Sequence, residues 1–94
     1  MKPDLFVVDI ECTCGPGVTK DFQEIIEIGG VRVDPLSFEI KDEFQTYIRP
    51  QLTRISPFCE NLTGITQATV DKGRSFSDAL SKLSEWMGAP MVFC

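Results

Sequence analysis

Two acids separated by a single residue, Asp9 and Glu11, close the run Leu5-Phe6-Val7-Val8-Asp9-Ile10-Glu11. The run is short, rich in aromatic and β-branched residues, and followed by the breaker Gly15-Pro16-Gly17. It therefore reads as a buried strand rather than a helix. Side chains on a strand alternate between faces, so Asp9 and Glu11 project to one side and Ile10 to the other, back into packing. Two carboxylates side by side at the end of a buried strand repel each other, and each loses hydration, which is costly for an unpaired charge. No Lys or Arg lies between Lys2 and Lys20 to pair with them locally. A hard divalent cation is the simplest partner, because Mg²⁺ takes oxygen ligands and commonly uses one or two carboxylates together with substrate phosphates. The competing reading is an acidic pair at a strand end facing water, and a D-x-E spacing by itself does not decide between them.

The rest of the composition narrows the chemistry. A chain of 94 residues, 43% hydrophobic and 24% charged, builds at most one small globular domain. Its net charge of −5 argues against a protein that coats a duplex through a basic patch. A nuclease stays open, because bound metal can supply positive charge where the phosphate sits. There is no histidine, which removes a Ser-His-Asp triad, H-E-x-x-H zinc chemistry and any His general base from these residues. The cysteines are Cys12, Cys14, Cys59 and Cys94, and Cys12-x-Cys14 is not a zinc-knuckle spacing. With no secretion signal ahead of them, they are expected to be reduced, mostly buried thiols in a cytoplasmic protein. No apolar run approaches the ~20 residues needed to span a membrane.

The elements that must position the acids follow in order. A polar, flexible loop is expected over Thr13–Gln23, then a second strand over Glu24–Asp34, a turn at Asp34-Pro35-Leu36-Ser37, and a third strand over Phe38–Tyr47. So short a turn makes the two strands antiparallel. Gly29 and Gly30 inside a strand suggest a bulge or a close approach by another backbone. Ser56-Pro57 reads as an N-cap and first helical residue, with a stop at Gly64, and Thr66 caps another turn through Val70. Ser75 opens the clearest helix, to Met87, with Asp78 at the capping-box position and Phe76, Ala79, Leu80, Leu83, Trp86 and Met87 on one face. That stripe reads as core. Gly88 and Pro90 supply the stop, and Met91-Val92-Phe93-Cys94 begins a fourth strand. A strand reached through a crossover helix lies parallel to one already present. Its C-terminal end would then arrive beside Asp9 and Glu11, so the chain is expected to be a truncated piece of a longer domain. Glu27, Arg49 and Arg54 are read as solvated surface, with bracing of the site the rival role for Glu27.

Val8-Asp9-Ile10-Glu11-Cys12-Thr13, followed by Gln23-Glu24-Ile25-Ile26-Glu27-Ile28-Gly29, resembles the opening of the DEDD (DnaQ-like) 3′–5′ exonucleases. Phe44-x-Thr46-Tyr47-Ile48-x-Pro50 and Ser56-Pro57-Phe58-Cys59-x-x-Leu62-Thr63-Gly64-Ile65-Thr66 are similar to its enhancer-of-RNA-interference and histone-mRNA exoribonuclease subgroup. The resemblance implies an α/β, ribonuclease-H-like mixed sheet: three antiparallel strands, a crossover helix and a parallel fourth strand, here the N-terminal portion (1–94) of a single exonuclease domain.

It also implies a function. The family hydrolyses single-stranded 3′ ends by two-metal catalysis with Mg²⁺ or Mn²⁺, and RNA is the preferred substrate of this subgroup. Asp9 and Glu11 match its first two acids, with Asp9 bridging both metals and Glu11 on the one that activates water. The third acid, the fourth acid and a histidine base fall beyond Cys94, so the 94 residues alone are expected to be inactive. Ile10, Cys12, Thr13, Leu62, Thr63 and Ile65 match positions around the terminal nucleotide, where main-chain groups can meet a 2′-OH. For Leu62 and Ile65 the plain alternative is core at a helix end. The rival to the enzyme reading is a non-catalytic module of the same fold that holds nucleic acid or a partner protein. Open strand edges would favour a homodimer or strand exchange.

Overall fold

Period-two alternation lays β1 (Leu5–Cys12), β2 (Ile25–Val33) and β3 (Ile40–Tyr47) side by side as an antiparallel sheet in the order β1-β2-β3. The computed structural model describes residues 3–88. β2 is the central strand. Asp9 stands opposite Gly29 and Glu11 opposite Glu27, while Gly29 faces Gln45 and Glu27 faces Tyr47 on the other side. Residues directly opposite share a face of the sheet. One face therefore carries Asp9, Glu11, Glu27, Gly29 and Gln45, and the other carries Phe6, Val8, Ile10, Ile28, Gly30, Arg32 and Phe44. The expected fourth strand at Met91–Cys94 lies outside the described residues.

The helices start where their caps place them. Ser56, Thr66 and Ser75 each accept a main-chain N–H from three residues on, opening α1 (Pro57–Thr63), α2 (Gln67–Asp71) and α3 (Phe76–Met87). Gly64 and Gly88 end α1 and α3 in the left-handed conformation, at φ 77° and 76°. Asp78 sits at the capping-box position, but its carboxylate pairs with Arg74 at 2.8 Å.

Two buried clusters hold the elements together. Ile26, Cys59, Ile65 and Val70 join β2 to α1 and α2, with Cys14, Tyr47 and Ile55 against them. Ile28, Ile48, Ala79 and Leu83 join the sheet to α3. Trp86 fixes the far end of α3: its ring meets Phe6 edge-on and stacks on Phe44, both at 5.3 Å between centroids. Arg32 lies over the Phe6 and Trp86 rings and donates to the Trp86 carbonyl at 2.6 Å, where a cation suits a helix C-terminus.

Several expectations are corrected by these contacts. β1 is not buried: Leu5, Val7, Val8 and Ile10 are 40–57% exposed, because β1 is an edge strand among the described residues. The third strand begins at Ile40 rather than Phe38. Phe38 is in the turn at φ 61°, where Asp34 holds the main-chain N–H groups of Leu36 and Ser37. The close approach at Gly30 comes from a side chain, since a Cβ there would meet the Trp86 ring at 3.0 Å. The register shifts fall elsewhere, between Glu11 and Cys12 and between Arg32 and Val33. The loop after β1 is not uniformly polar and loose: Thr13 is fully buried, and Lys20–Phe22 forms a 3-10 turn. Phe76, placed in the core stripe, is 46% exposed.

Candidate active site

Strand alternation puts the Asp9 and Glu11 carboxylates on one face, as the spacing requires. Asp9 is exposed and Glu11 half-buried, so the acids are not desolvated as expected; among the described residues β1 is an edge strand. One Asp9 oxygen accepts the N–H of Ile10 at 3.0 Å. Glu27 stands directly across from Glu11, a like-charge pairing that destabilises a bare sheet. Gln45 relieves part of it by donating to a Glu27 oxygen at 2.8 Å. Gly29, opposite Asp9, has nothing within 4 Å of the position a Cβ would take, so the space beside Asp9 is open.

This arrangement fits a divalent cation of the Mg²⁺ type through two carboxylates, with the remaining positions left to water and phosphate oxygens. No group of three or more His, Cys, Asp or Glu side chains able to hold a metal occurs among the described residues. Glu27 therefore does not complete a cage.

The remaining candidates divide. Ile10 is 46% exposed on the opposite face from the acids, and Cys12 follows Glu11 at the register shift. Leu62 is 69% exposed at the end of α1. Thr63 is half-buried; its hydroxyl donates to the Cys59 carbonyl at 2.8 Å and accepts the Ile65 N–H at 3.1 Å. Thr13 and Ile65 face the interior, at 0% and 4% exposure. α1 is fastened to the exit of β1, because Ser56 Oγ donates to the Cys14 carbonyl at 2.8 Å and Cys59 Sγ lies 3.7 Å from the Cys12 carbonyl. Gly15 permits that contact: a Cβ there would sit 2.7 Å from Ser56 Oγ. The thiols of Cys12, Cys14 and Cys59 are free. Burial, with Cys59 beside it, pushes Cys14 up to about 11, so it stays protonated at neutral pH and is no nucleophile. Burial and the nearby Glu11 also raise Cys12.

One group went unnoticed in the sequence. Glu24, at the entrance to β2, gathers N–H groups from Gln51, Leu52 and Thr53 onto its carboxylate. A groove of about 810 Å³ between β3 and α3 contains neither site acid; its Arg74 and Lys82 are paired with Asp78 and Glu85.

The RNase T family model, described as an exonuclease, matches residues 6–93. The chain belongs to the RNase T exonuclease family. Among curated relatives, it is 45% identical over 83 residues to the rat 3′-5′ exoribonuclease 1, covering 86% of this chain and 24% of that protein. It is 44% identical over 81 residues to the fission yeast 3′-5′ exonuclease eri1, covering 84% and 27%. The chain thus spans about a quarter of the length of these relatives. Its fold is similar to the nuclease domain of 3′hExo, a DEDDh family member bound to rAMP: TM-score 0.81, 41% identity, 88% of this chain and 42% of that one. A 3′-exonuclease structure showing 3′-end-specific recognition of a histone mRNA stem-loop gives TM-score 0.81 and 40% identity, over 88% and 38%.

The three antiparallel strands and the helices after them therefore share the ribonuclease-H-like fold of the DEDDh nuclease domains they match. RNase T family exonucleases of the DEDDh type are hydrolytic and normally use divalent metal ions. The open carboxylate pair on β1 lies within the matched span, which is the chemistry a metal-dependent hydrolase needs.

Proposed function

We propose that residues 1–94 are the N-terminal portion of one 3′–5′ exonuclease domain acting on single-stranded 3′ ends, with RNA preferred. The observation that carries this reading is the open face of β1: Asp9 and Glu11 side by side, with free space at Gly29 across from Asp9. Asp9 and Glu11 would hold Mg²⁺ or Mn²⁺, which when bound supplies hydroxide from water and neutralises charge on the phosphoryl group. Main-chain groups at Ile10 and Cys12 are suited to the terminal sugar, and Leu62 and Thr63 to the terminal nucleotide. Thr13 and Ile65 serve that surface from beneath, since both are buried. The relative that recognises a histone mRNA 3′ end supports an RNA end as substrate. Free cysteines suit a reducing, cytoplasmic setting. The exposed apolar edge of β1 favours self-association of the 94-residue chain.

The test is a cleavage assay on 5′-labelled single-stranded RNA with Mn²⁺. The 94-residue chain is run beside one extended at its C-terminus through the remaining length of the family domain. A 3′-to-5′ ladder from the extended chain only, abolished by Asp9→Ala, is the expected result. No ladder from the extended chain would leave a binding module in place of an enzyme. A ladder from the 94-residue chain, lost on Asp9→Ala, would show that two acids suffice.

A further inference from the structure

β1 runs directly into a junction built on one carboxylate. Thr13, two residues past Glu11, is fully buried. Its N–H donates to the Glu24 carbonyl at 2.8 Å, and its Oγ1 accepts the Glu24 N–H at 2.9 Å. The Glu24 side chain reaches the other way. Oε2 accepts the Gln51 N–H at 2.7 Å; Oε1 accepts the N–H groups of Leu52 and Thr53 at 2.8 and 2.7 Å and the Thr53 hydroxyl at 2.8 Å. The two threonine hydroxyl oxygens lie 3.2 Å apart. Three stretches of chain distant in sequence thus meet at Glu24: the exit of β1, the entrance of β2, and the segment that leads into α1.

The location matters because the β1·β2 register shifts between Glu11 and Cys12. The regular ladder that keeps Glu11 in line is interrupted there, and past Cys12, which pairs with Ile25, the junction follows. We infer that Glu24 is a positioning residue for the acid pair: by fastening Thr13 and the 51–53 segment together, it fixes the end of β1 that aims Glu11 and seats α1 against it. This rests on the exonuclease reading above for its consequence, though not for its geometry. A neutral isostere cannot do the same work. Gln at this position could keep its oxygen on Leu52 and Thr53, but its amide would then meet the Gln51 N–H donor to donor. Groups that orient a metal ligand rather than touch the metal typically govern affinity by 10–100-fold when removed.

The experiment uses the 94-residue chain, its Glu24→Gln and Thr53→Val variants, and two readouts: Mn²⁺ affinity from the free-ion paramagnetic resonance signal, and amide hydrogen exchange at Thr13, Leu52 and Thr53. Glu24→Gln is expected to weaken Mn²⁺ binding about tenfold and to speed exchange at Thr13 as well as in the 51–53 segment. Thr53→Val shifts both in the same direction by less, and it carries the test if Glu24→Gln does not fold. Faster exchange confined to Leu52 and Thr53, with Thr13 and Mn²⁺ affinity unchanged, would overturn the proposal and leave Glu24 a mere tether for the loop. If the wild-type chain takes up no Mn²⁺, the metal reading fails separately. Exchange at Thr13 then decides the positioning alone, faster exchange upholding it and unchanged exchange overturning it.

Discussion

Asp9 and Glu11 stand at the open end of β1, and Glu24 stands at the start of the neighbouring strand, yet the same functional group meets opposite surroundings. Glu24 receives three main-chain N–H groups and a hydroxyl, all within 2.8 Å. Asp9 receives one N–H, from its own neighbour Ile10, and Glu11 faces Glu27 across the sheet. An acid that the chain has satisfied is part of the architecture. An acid left beside like charge, with open space at Gly29 next to its partner, calls for a positive group from outside the chain.

That contrast can be broken by removing one acid from each side. Asp9→Ala should lower Mn²⁺ affinity by at least about 100-fold, beyond the usual range for outer groups alone, while the melting temperature stays put or rises as like charges are relieved. Glu24→Ala should do the reverse in stability. Three N–H donors lose their acceptor, and unfolding should become easier by about 2 kcal/mol in denaturant titration. Equal stability losses in both variants would erase the distinction. Gly29→Val sharpens it further: with nothing within 4 Å of where its Cβ would lie, stability should stay within about 0.5 kcal/mol, while Mn²⁺ binding falls about tenfold as the space beside Asp9 is filled.

The smallest effect is in acid. Desolvation works against the Glu24 carboxylate, but the hydrogen bonds from Gln51, Thr53 and Leu52 outweigh it and hold its pKa below the ordinary 4.5. A depressed folded value adds stability above the unfolded pKa, and that stability is lost as pH falls through the folded one. Asp34, lowered by the Ser37 and Leu36 N–H groups, acts in the same direction. Thermal melts below pH 4.5 should therefore drop for the wild-type chain, and drop less for Glu24→Ala, with the Asp34 share remaining.

What the sequence made legible was local. Asp9 and Glu11 could be placed on one face because alternation is a property of any strand, and Ser56, Thr66 and Ser75 could be named as caps because a cap acts over three residues. What it hid was long-range. The Glu24 partners lie 27–29 residues away, and no local pattern announces them. The ring that crowds Gly30 belongs to Trp86. Burial of β1 departs from expectation for a related reason: an apolar run specifies what a strand can bury, not which neighbours cover it, and among the described residues β1 lies at an edge. Thr13 looked like a flexible loop residue, whereas it is buried and its hydroxyl accepts the Glu24 N–H.

The most direct test of the central claim is paramagnetic broadening of the amide resonances of this chain on titration with Mn²⁺. Loss of signal is expected to be strongest at Asp9, Glu11 and Gly29 and to weaken with distance from them, with no such loss in Asp9→Ala. Absence of broadening there, or broadening centred instead on the Asp34 turn or on Glu60, would mean that the acid pair of β1 is a solvated strand end and not a metal site.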